Sequence, residues 1–220
     1  MAPLAAFELY RFFHAREAET LALRGVSLML EARELVAVVG PSGSGKSSLL
    51  ACLAGLDEPD GGHVEVLGKR VTRQPEAERA RIRVAAIGML MQGGNLFPTL
   101  TVTDNIMVPM QLANCVDTNR VDMLLSRVGL AERRHARPGQ LSGGELARAG
   151  LAVALATRPR VLLADEPTGE VDALAEAHIL ELLQAERATG TAILIATHSL
   201  AIGAQADRVI RLRDGRIVDG

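Results

Sequence analysis

Tryptophan is missing from this chain, tyrosine occurs once and phenylalanine four times. Leu, Val, Ile and Ala must therefore fill the core, and few aromatic faces remain of the kind on which single-strand nucleic-acid binders stack bases. A surplus of charge is also missing. Lys and Arg number 24 against 26 Asp and Glu, a net of −2, so no global field argues for a nucleic-acid partner and none is expected. No apolar run approaches the ~20 residues that a membrane span needs. The N-terminus lacks the basic-then-apolar pattern of a secretory signal, so service at a membrane would go through a partner. Only two cysteines occur, Cys52 and Cys115, and they form no C-x-x-C pair. That is reduced, cytosolic usage, and Cys52 reads as a small buried apolar residue. What the chain does have is 48% apolar residues in a length of 220, enough to bury the core of one domain.

The stretch Gly40-Pro-Ser-Gly-Ser-Gly-Lys-Ser47 fits G-x-x-x-x-G-K-[ST], the phosphate-binding loop. Its context agrees: Glu34–Val39 is a short β-rich apolar run, and Ser47–Ala54 reads as a helix closed by Gly55. Glycines 40, 43 and 45 allow successive N–H groups to converge on phosphate oxygens, at the positive end of the following helix. Lys46 is expected to reach the β- and γ-phosphates, and the Ser47 hydroxyl to ligate Mg²⁺. A nucleoside triphosphate is the ligand this predicts.

The flanking segments alternate. Residues 7–39 read as strands leading into the loop, with Val26, Leu28 and Leu30 on one side. His63–Leu67 is a half-buried strand pattern, and residues 74–83 a solvated helix face. Val84–Met91 reads as an apolar strand, ending at Gln92 beside Gly93-Gly94. From Thr101 to about Arg158 the pattern is helical, with Pro109 expected to interrupt one helix and Val121, Leu124, Leu125 and Val128 sharing a face. Arg133, Arg134, His135 and Arg137 read as a solvated basic cluster. Ser142 and Glu145 have capping-box spacing. Arg160–Asp165 is a buried strand ending in Asp165 and Glu166, the place where open α/β sheets put ligand chemistry. Asp172 caps a helix ending near Gly190; Thr191–Thr197 is a buried strand followed by His198; Asp214-Gly215 marks a hairpin. The sum is an α/β fold with a mostly parallel core sheet and antiparallel β elements.

Taken in this order, the motifs resemble the ATP-binding subunits of ABC transporters over essentially the whole chain. Leu141-Ser-Gly-Gly-Glu145 is similar to that family's signature sequence, and Val161–Asp165 with Glu166 to its Walker B strand. Gln92, Asp172 and His198 stand where the family has its Q-loop glutamine, D-loop aspartate and switch histidine. Asp165-Glu-Pro-Thr-Gly169, Gln92–Pro98 and Ala206–Ile210 resemble the lipoprotein-releasing and macrolide-exporter branch. The resemblance implies a single domain over 1–220 of the P-loop NTPase (ABC ATPase) fold, with a core of 1–97 and 159–220 and an inserted helical subdomain at about 98–158.

The roles that follow are implied by that resemblance. Phe13 would stack on adenine, with Phe12 as the competing candidate. Gly40, Pro41, Ser42, Gly43, Ser44, Gly45, Lys46, Ser47 and Ser48 would hold the ATP phosphates. Ser47, Gln92 and Asp165 would hold Mg²⁺, Glu166 would orient the attacking water, and His198 would contact the γ-phosphate. A head-to-tail dimer of ATPase subunits would bring Ser142, Gly143, Gly144 and Glu145, with Asp172, to the nucleotide of the other subunit. A transmembrane permease subunit would complete the assembly and hold it at the inner face of the cell membrane, with Leu96-Phe97-Pro98 near its docking groove. A non-transport ABC ATPase, for instance in cell division, is the alternative; a small-molecule kinase would leave the signature stretch idle. Arg33 in place of a glycine, Val153 in place of an arginine, Glu170-Val171 and Ser199 depart from the family pattern.

Overall fold

The computed structural model describes residues 1–15, 18–91, 95–169 and 171–219. Gln92, Gly93, Gly94 and Glu170 lie outside the described residues.

Two sheets organise the chain. The first is antiparallel, formed by β1 (Leu4–Ala15), β2 (Ala18–Leu30), β4 (Gly61–Val66) and β5 (Lys69–Arg70) in the order β2-β1-β4-β5. The second contains β3 (Leu35–Val39), β6 (Ile87–Leu90), β7 (Val161–Asp165), β8 (Ala192–Ala196), β9 (Arg208–Arg213) and β10 (Arg216–Asp219), in the order β10-β9-β3-β8-β7-β6. All its pairings are parallel except the β9–β10 hairpin. That hairpin turns on Asp214 and Gly215, at φ 49° and 74°, with Arg216 opposite Arg213. This is the two-residue type I′ geometry that an Asp-Gly pair favours.

The central strands are buried on both faces, as parallel sheets covered by helices must be. Val36 and Val38 face one apolar cluster with Leu49 and Leu53 of α1 (Lys46–Leu53) and the inner residues of the antiparallel sheet. Leu35 and Ala37, of opposite parity, face a second cluster. It joins the sheet to α3 (Val102–Leu112), α4 (Thr118–Arg127), α5 (Gly143–Ala154) and α6 (Ala173–Thr189). The helices of 102–154 thus share one continuous core with one sheet face.

Two expectations need correction. The apolar run Val84–Met91 is not one strand: α2 (Glu76–Ala86) takes Val84, Ala85 and Ala86, and β6 starts at Ile87. A short apolar run fits either period, and here packing decided: Ala86 and the neighbouring Ile82 pack into the first cluster while Arg83 Nη1 holds the Gly55 carbonyl at 3.1 Å. Pro109 does not interrupt α3, which runs through it to Leu112. Its ring removes one N–H, yet the helix is fixed at its start by the Thr101–Asp104 capping box and by the buried Val102, Asn105, Ile106 and Met110. The last helix, α7 (Leu200–Gln205), starts at a Ser199 cap.

Candidate functional site

The phosphate-loop motif, Asp165, Glu166 and His198 all come off the C-terminal edge of the parallel sheet. Strand β3 delivers the loop 40–47, β7 ends at Asp165 and Glu166, and β8, lying between those strands, is followed by Thr197 and His198. The backbone ladder carries past the strands. Thr197 N–H donates to the Val38 carbonyl at 3.0 Å and Glu166 N–H to the Ala196 carbonyl at 2.9 Å, so the three loops are held in register with one another.

Glycine serves two needs in the phosphate loop. Gly45 has φ 105° at the start of α1, and a Cβ there would overlap the Ala22 carbonyl oxygen of β2. Gly40 has an ordinary φ, but a Cβ would strike the Leu212 carbonyl oxygen of β9. The C-terminal hairpin reaches the loop again through Gly215 N–H, which donates to the Ser44 carbonyl at 3.0 Å. Sequence pattern marked that hairpin only as a turn; the fold makes it a support of the loop.

Lys46 is buried, 8% exposed, and among the described residues no carboxylate pairs with it. Its Nζ donates to the Gly40 carbonyl at 2.8 Å and lies 3.4 Å from the Pro41 carbonyl and 3.2 Å from His198 Nε2. An ammonium only donates, so Nε2 is the acceptor in this contact. The 3.4 Å approach of Nε2 to Glu166 Oε1 is then a contact without a shared proton. Glu166 is tied to the switch loop otherwise, its Oε2 accepting from His198 N–H at 3.2 Å. Among the described residues its Oε1 is buried with no hydrogen-bond partner, as is Ser44 Oγ. Glu166 also sits at φ 47°, a left-handed geometry costly to a side-chain-bearing residue and often met at functional positions.

These groups line a cleft of about 620 Å³, bounded by Phe13, Ala22, Ser42, Gly43, Gly45, Lys46, Ser47, Ser48, Asp165, Glu166, Gly169 and His198. Phe13, not Phe12, is in the wall; it is 41% exposed and the Arg11 guanidinium stacks over it at 4.8 Å. Ala22 and Gly169 were missed by sequence reasoning, having no chemistry of their own to flag them. A flat exposed ring beside a bed of N–H groups and a buried cation fits a base joined to a phosphate chain.

Ser142, Gly143, Gly144 and Asp172 are not in that cleft. They line a second one of about 770 Å³, with Gly129, Arg148, Val171 and residues of α6 including Ala175, His178 and Glu181. Ser142 caps α5 in a full capping box: Glu145 N–H donates to Ser142 Oγ at 3.3 Å and Ser142 N–H to Glu145 Oε2 at 2.9 Å. The hydrogen bond from the Ser142 amide, helped by Arg133, holds the Glu145 carboxyl below its ordinary pKa. Asp172 caps α6 through Ala175 N–H at 2.8 Å. Two helix starts therefore open on one cleft, with Glu145 beneath it as a cap and not in its wall.

Compared with known proteins, residues 23–169 match the family described as "ABC transporter". The chain belongs to that family. This ABC ATPase is 44% identical over 204 residues to the lipoprotein-releasing system ATP-binding protein LolD of Ruegeria pomeroyi, covering 90% of this chain and 89% of that one. It is 38% identical to the macrolide export ATP-binding/permease protein MacB of Hyphomonas neptunium, covering 96% of this chain and 33% of the longer relative. In structure it is similar, with a TM-score of 0.93 and 29% identity over 98% of this chain and 97% of the other, to the ATP-binding cassette MJ0796 in a dimeric post-hydrolysis state bound to ADP and Pi. The expected lipoprotein-releasing and macrolide-exporter branch is represented among these relatives. Among the described residues, no helix of the ABC ATPase is long and apolar enough to cross a membrane.

Proposed function

We propose that this ABC ATPase hydrolyses ATP between two copies of itself and passes the resulting motion to a transmembrane permease subunit, from a position on the cytoplasmic face of the membrane. The observation that carries the reading is the division of the motifs between two clefts, one with phosphate loop, Asp165, Glu166 and His198 and one with the Ser142 helix tip and Asp172. A second copy turned head to tail brings the two halves together on one nucleotide.

The mechanism follows from the resting contacts. Adenine stacks on Phe13, and the phosphates take backbone N–H groups of the loop residues in the cleft wall, Gly43, Gly45, Lys46, Ser47 and Ser48. Lys46 exchanges its two carbonyl partners and His198 for phosphate oxygens, a charge-assisted gain. That exchange frees His198 Nε2, which, once it carries the ring proton, donates to a γ-phosphate oxygen. Glu166, with one oxygen held by the His198 amide and the other unpartnered, accepts a hydrogen bond from water and aims it at the γ-phosphorus. Water oxygen forms the new bond, the bond to the β–γ bridging oxygen breaks, ADP leaves with that electron pair, and the water's protons end on the released phosphate. Asp165 and Ser47 are in the same wall and would hold Mg²⁺, which takes few protein ligands beside substrate phosphates and neutralises developing charge; Gln92 would join them.

The permease docks where the helices of 102–154 meet the sheet, at Leu96-Phe97-Pro98. Phe97 is 55% exposed, and its loop is pinned by the buried Asn105, whose Oδ1 accepts from Phe97 N–H at 2.7 Å and whose Nδ2 donates to the Thr101 carbonyl at 2.9 Å. Val153 adds an apolar wall to a neighbouring groove with Leu56, Pro109 and Leu112. The family relatives named for lipoprotein release and macrolide export point to an amphiphilic cargo moved by that permease.

Glu166→Gln tests the centre. It is expected to bind ATP as the parent does while turnover falls by about 10² or more, and to accumulate an ATP-bound dimer in light scattering. Parental turnover in that variant would remove Glu166 from its role.

A further inference from the structure

Glu176 stands one turn into α6, four residues past Asp172, and neither the motifs nor the mechanism above uses it. Its Oε1 accepts hydrogen bonds from two hydroxyls on two different loops, Ser199 Oγ at 2.6 Å and Thr168 Oγ1 at 3.2 Å. Thr168 lies two residues beyond Glu166, and Ser199 follows His198 directly. Ser199 is fixed at further points: its Oγ accepts from Ile202 N–H at 3.3 Å and its N–H donates to Thr197 Oγ1 at 3.0 Å. With its one hydroxyl proton given to Glu176, Ser199 has no freedom left to turn, and a hydroxyl-to-carboxylate bond of this length is charge-assisted. One carboxylate oxygen therefore joins the loop that carries Glu166 to the loop that carries His198.

We propose that Glu176 is a positioning residue for hydrolysis: it sets the spacing of the β7 and β8 loops so that Glu166 and His198 meet the γ-phosphate together. Ser199 and Glu176 act as a pair, and this gives the atypical serine after the switch histidine a function. The staple is also linked to the second cleft, because Glu176 N–H donates to the Asp172 carbonyl at 2.9 Å in the first turn of α6, and Asp172 and Ala175 line that cleft. Movement of this turn on dimer closure carries the staple with it. The inference rests on the roles proposed for Glu166 and His198.

The test compares Glu176→Ala, Glu176→Gln and Glu166→Gln in the full chain, reading kcat, KM, affinity for a fluorescent ATP analogue and thermal midpoint. Glu176→Ala is expected to lose about tenfold or more in kcat through misplacement of the two loops, with KM and nucleotide affinity within about twofold of the parent. Glu176→Gln keeps an oxygen that accepts both hydroxyls and is expected to recover most of the rate. Adding Ser199→Ala to Glu176→Ala should cost little further, since the two side chains make one interaction. Parental kcat in Glu176→Ala, equal losses in Ala and Gln, or a loss of rate that follows the thermal midpoint would each overturn the proposal. If Glu166→Gln is inactive and Glu176→Ala unimpaired, only this inference falls. If Glu166→Gln retains full turnover, the reading of the catalytic centre falls and takes the inference with it.

Discussion

Arg33 occupies the third position of the turn Glu31–Glu34, which is closed by Glu34 N–H on the Glu31 carbonyl at 3.2 Å. Its φ is 64°, the left-handed value that makes glycine the usual occupant of this position. The guanidinium is exposed, while the Arg33 carbonyl accepts from Arg187 Nε at 2.9 Å, a bond that any residue at 33 would keep. Arg33→Gly is therefore expected to stabilise the fold by about 1 kcal/mol, or roughly 2–4 °C in a chain of this size. A scanning-calorimetry midpoint unchanged or lowered would count against it. The departure from family pattern noted in sequence is thus a cost in a turn remote from the nucleotide cleft. At Cys52 the residue-scale reading also agrees with the structure: the thiol is fully buried, and desolvation pushes its pKa up to about 12.

Among the elements, α5 joins local physics to function most directly. The same capping box that starts the helix presents Ser142, Gly143 and Gly144 to the second cleft. The Glu145 carboxyl is held below the ordinary glutamate value of 4.5 by its bond from the Ser142 amide, so its contribution is present above pH 4.5 and is lost as pH falls through the lower folded value. The thermal midpoint of the parent should exceed that of Glu145→Gln at neutral pH, and the gap should close in that acid window; a gap independent of pH would show the ionised cap to be idle. Elements with strong local signals matched their prediction, as in α1 after its glycine loop, α6 between Asp172 and Gly190, and the Asp-Gly hairpin. The boundary inside Val84–Met91 and the passage of α3 through Pro109 were not legible, because each depends on which neighbouring surface the apolar side chains bury.

At the scale of the whole molecule, the two clefts proposed to share one nucleotide lie in different places on each chain. The composite centre of the proposed dimer can be tested by mixing two inactive variants, Lys46→Ala and Ser142→Arg. Each alone should lack turnover, and the mixture should regain it, because one of the two centres in a mixed dimer has both an intact loop and an intact helix tip. A mixture as inactive as its parts, with mixed dimers verified by mass, would refute head-to-tail sharing.

The order of residues alone settled the chemistry available: a glycine-rich loop with lysine and serine, acids at a strand end, a histidine after another strand, a serine–glutamate helix cap. These are local features, each written within a few consecutive positions and governed by short-range geometry. Tertiary structure decided which of them share a wall. It separated Ser142 and Asp172 from Lys46, chose Phe13 over Phe12, set the C-terminal hairpin beneath the phosphate loop, and joined Thr168, Glu176 and Ser199 at one oxygen. Those meetings follow from strand order and from the burial of both sheet faces, which are properties of the packed chain as a whole.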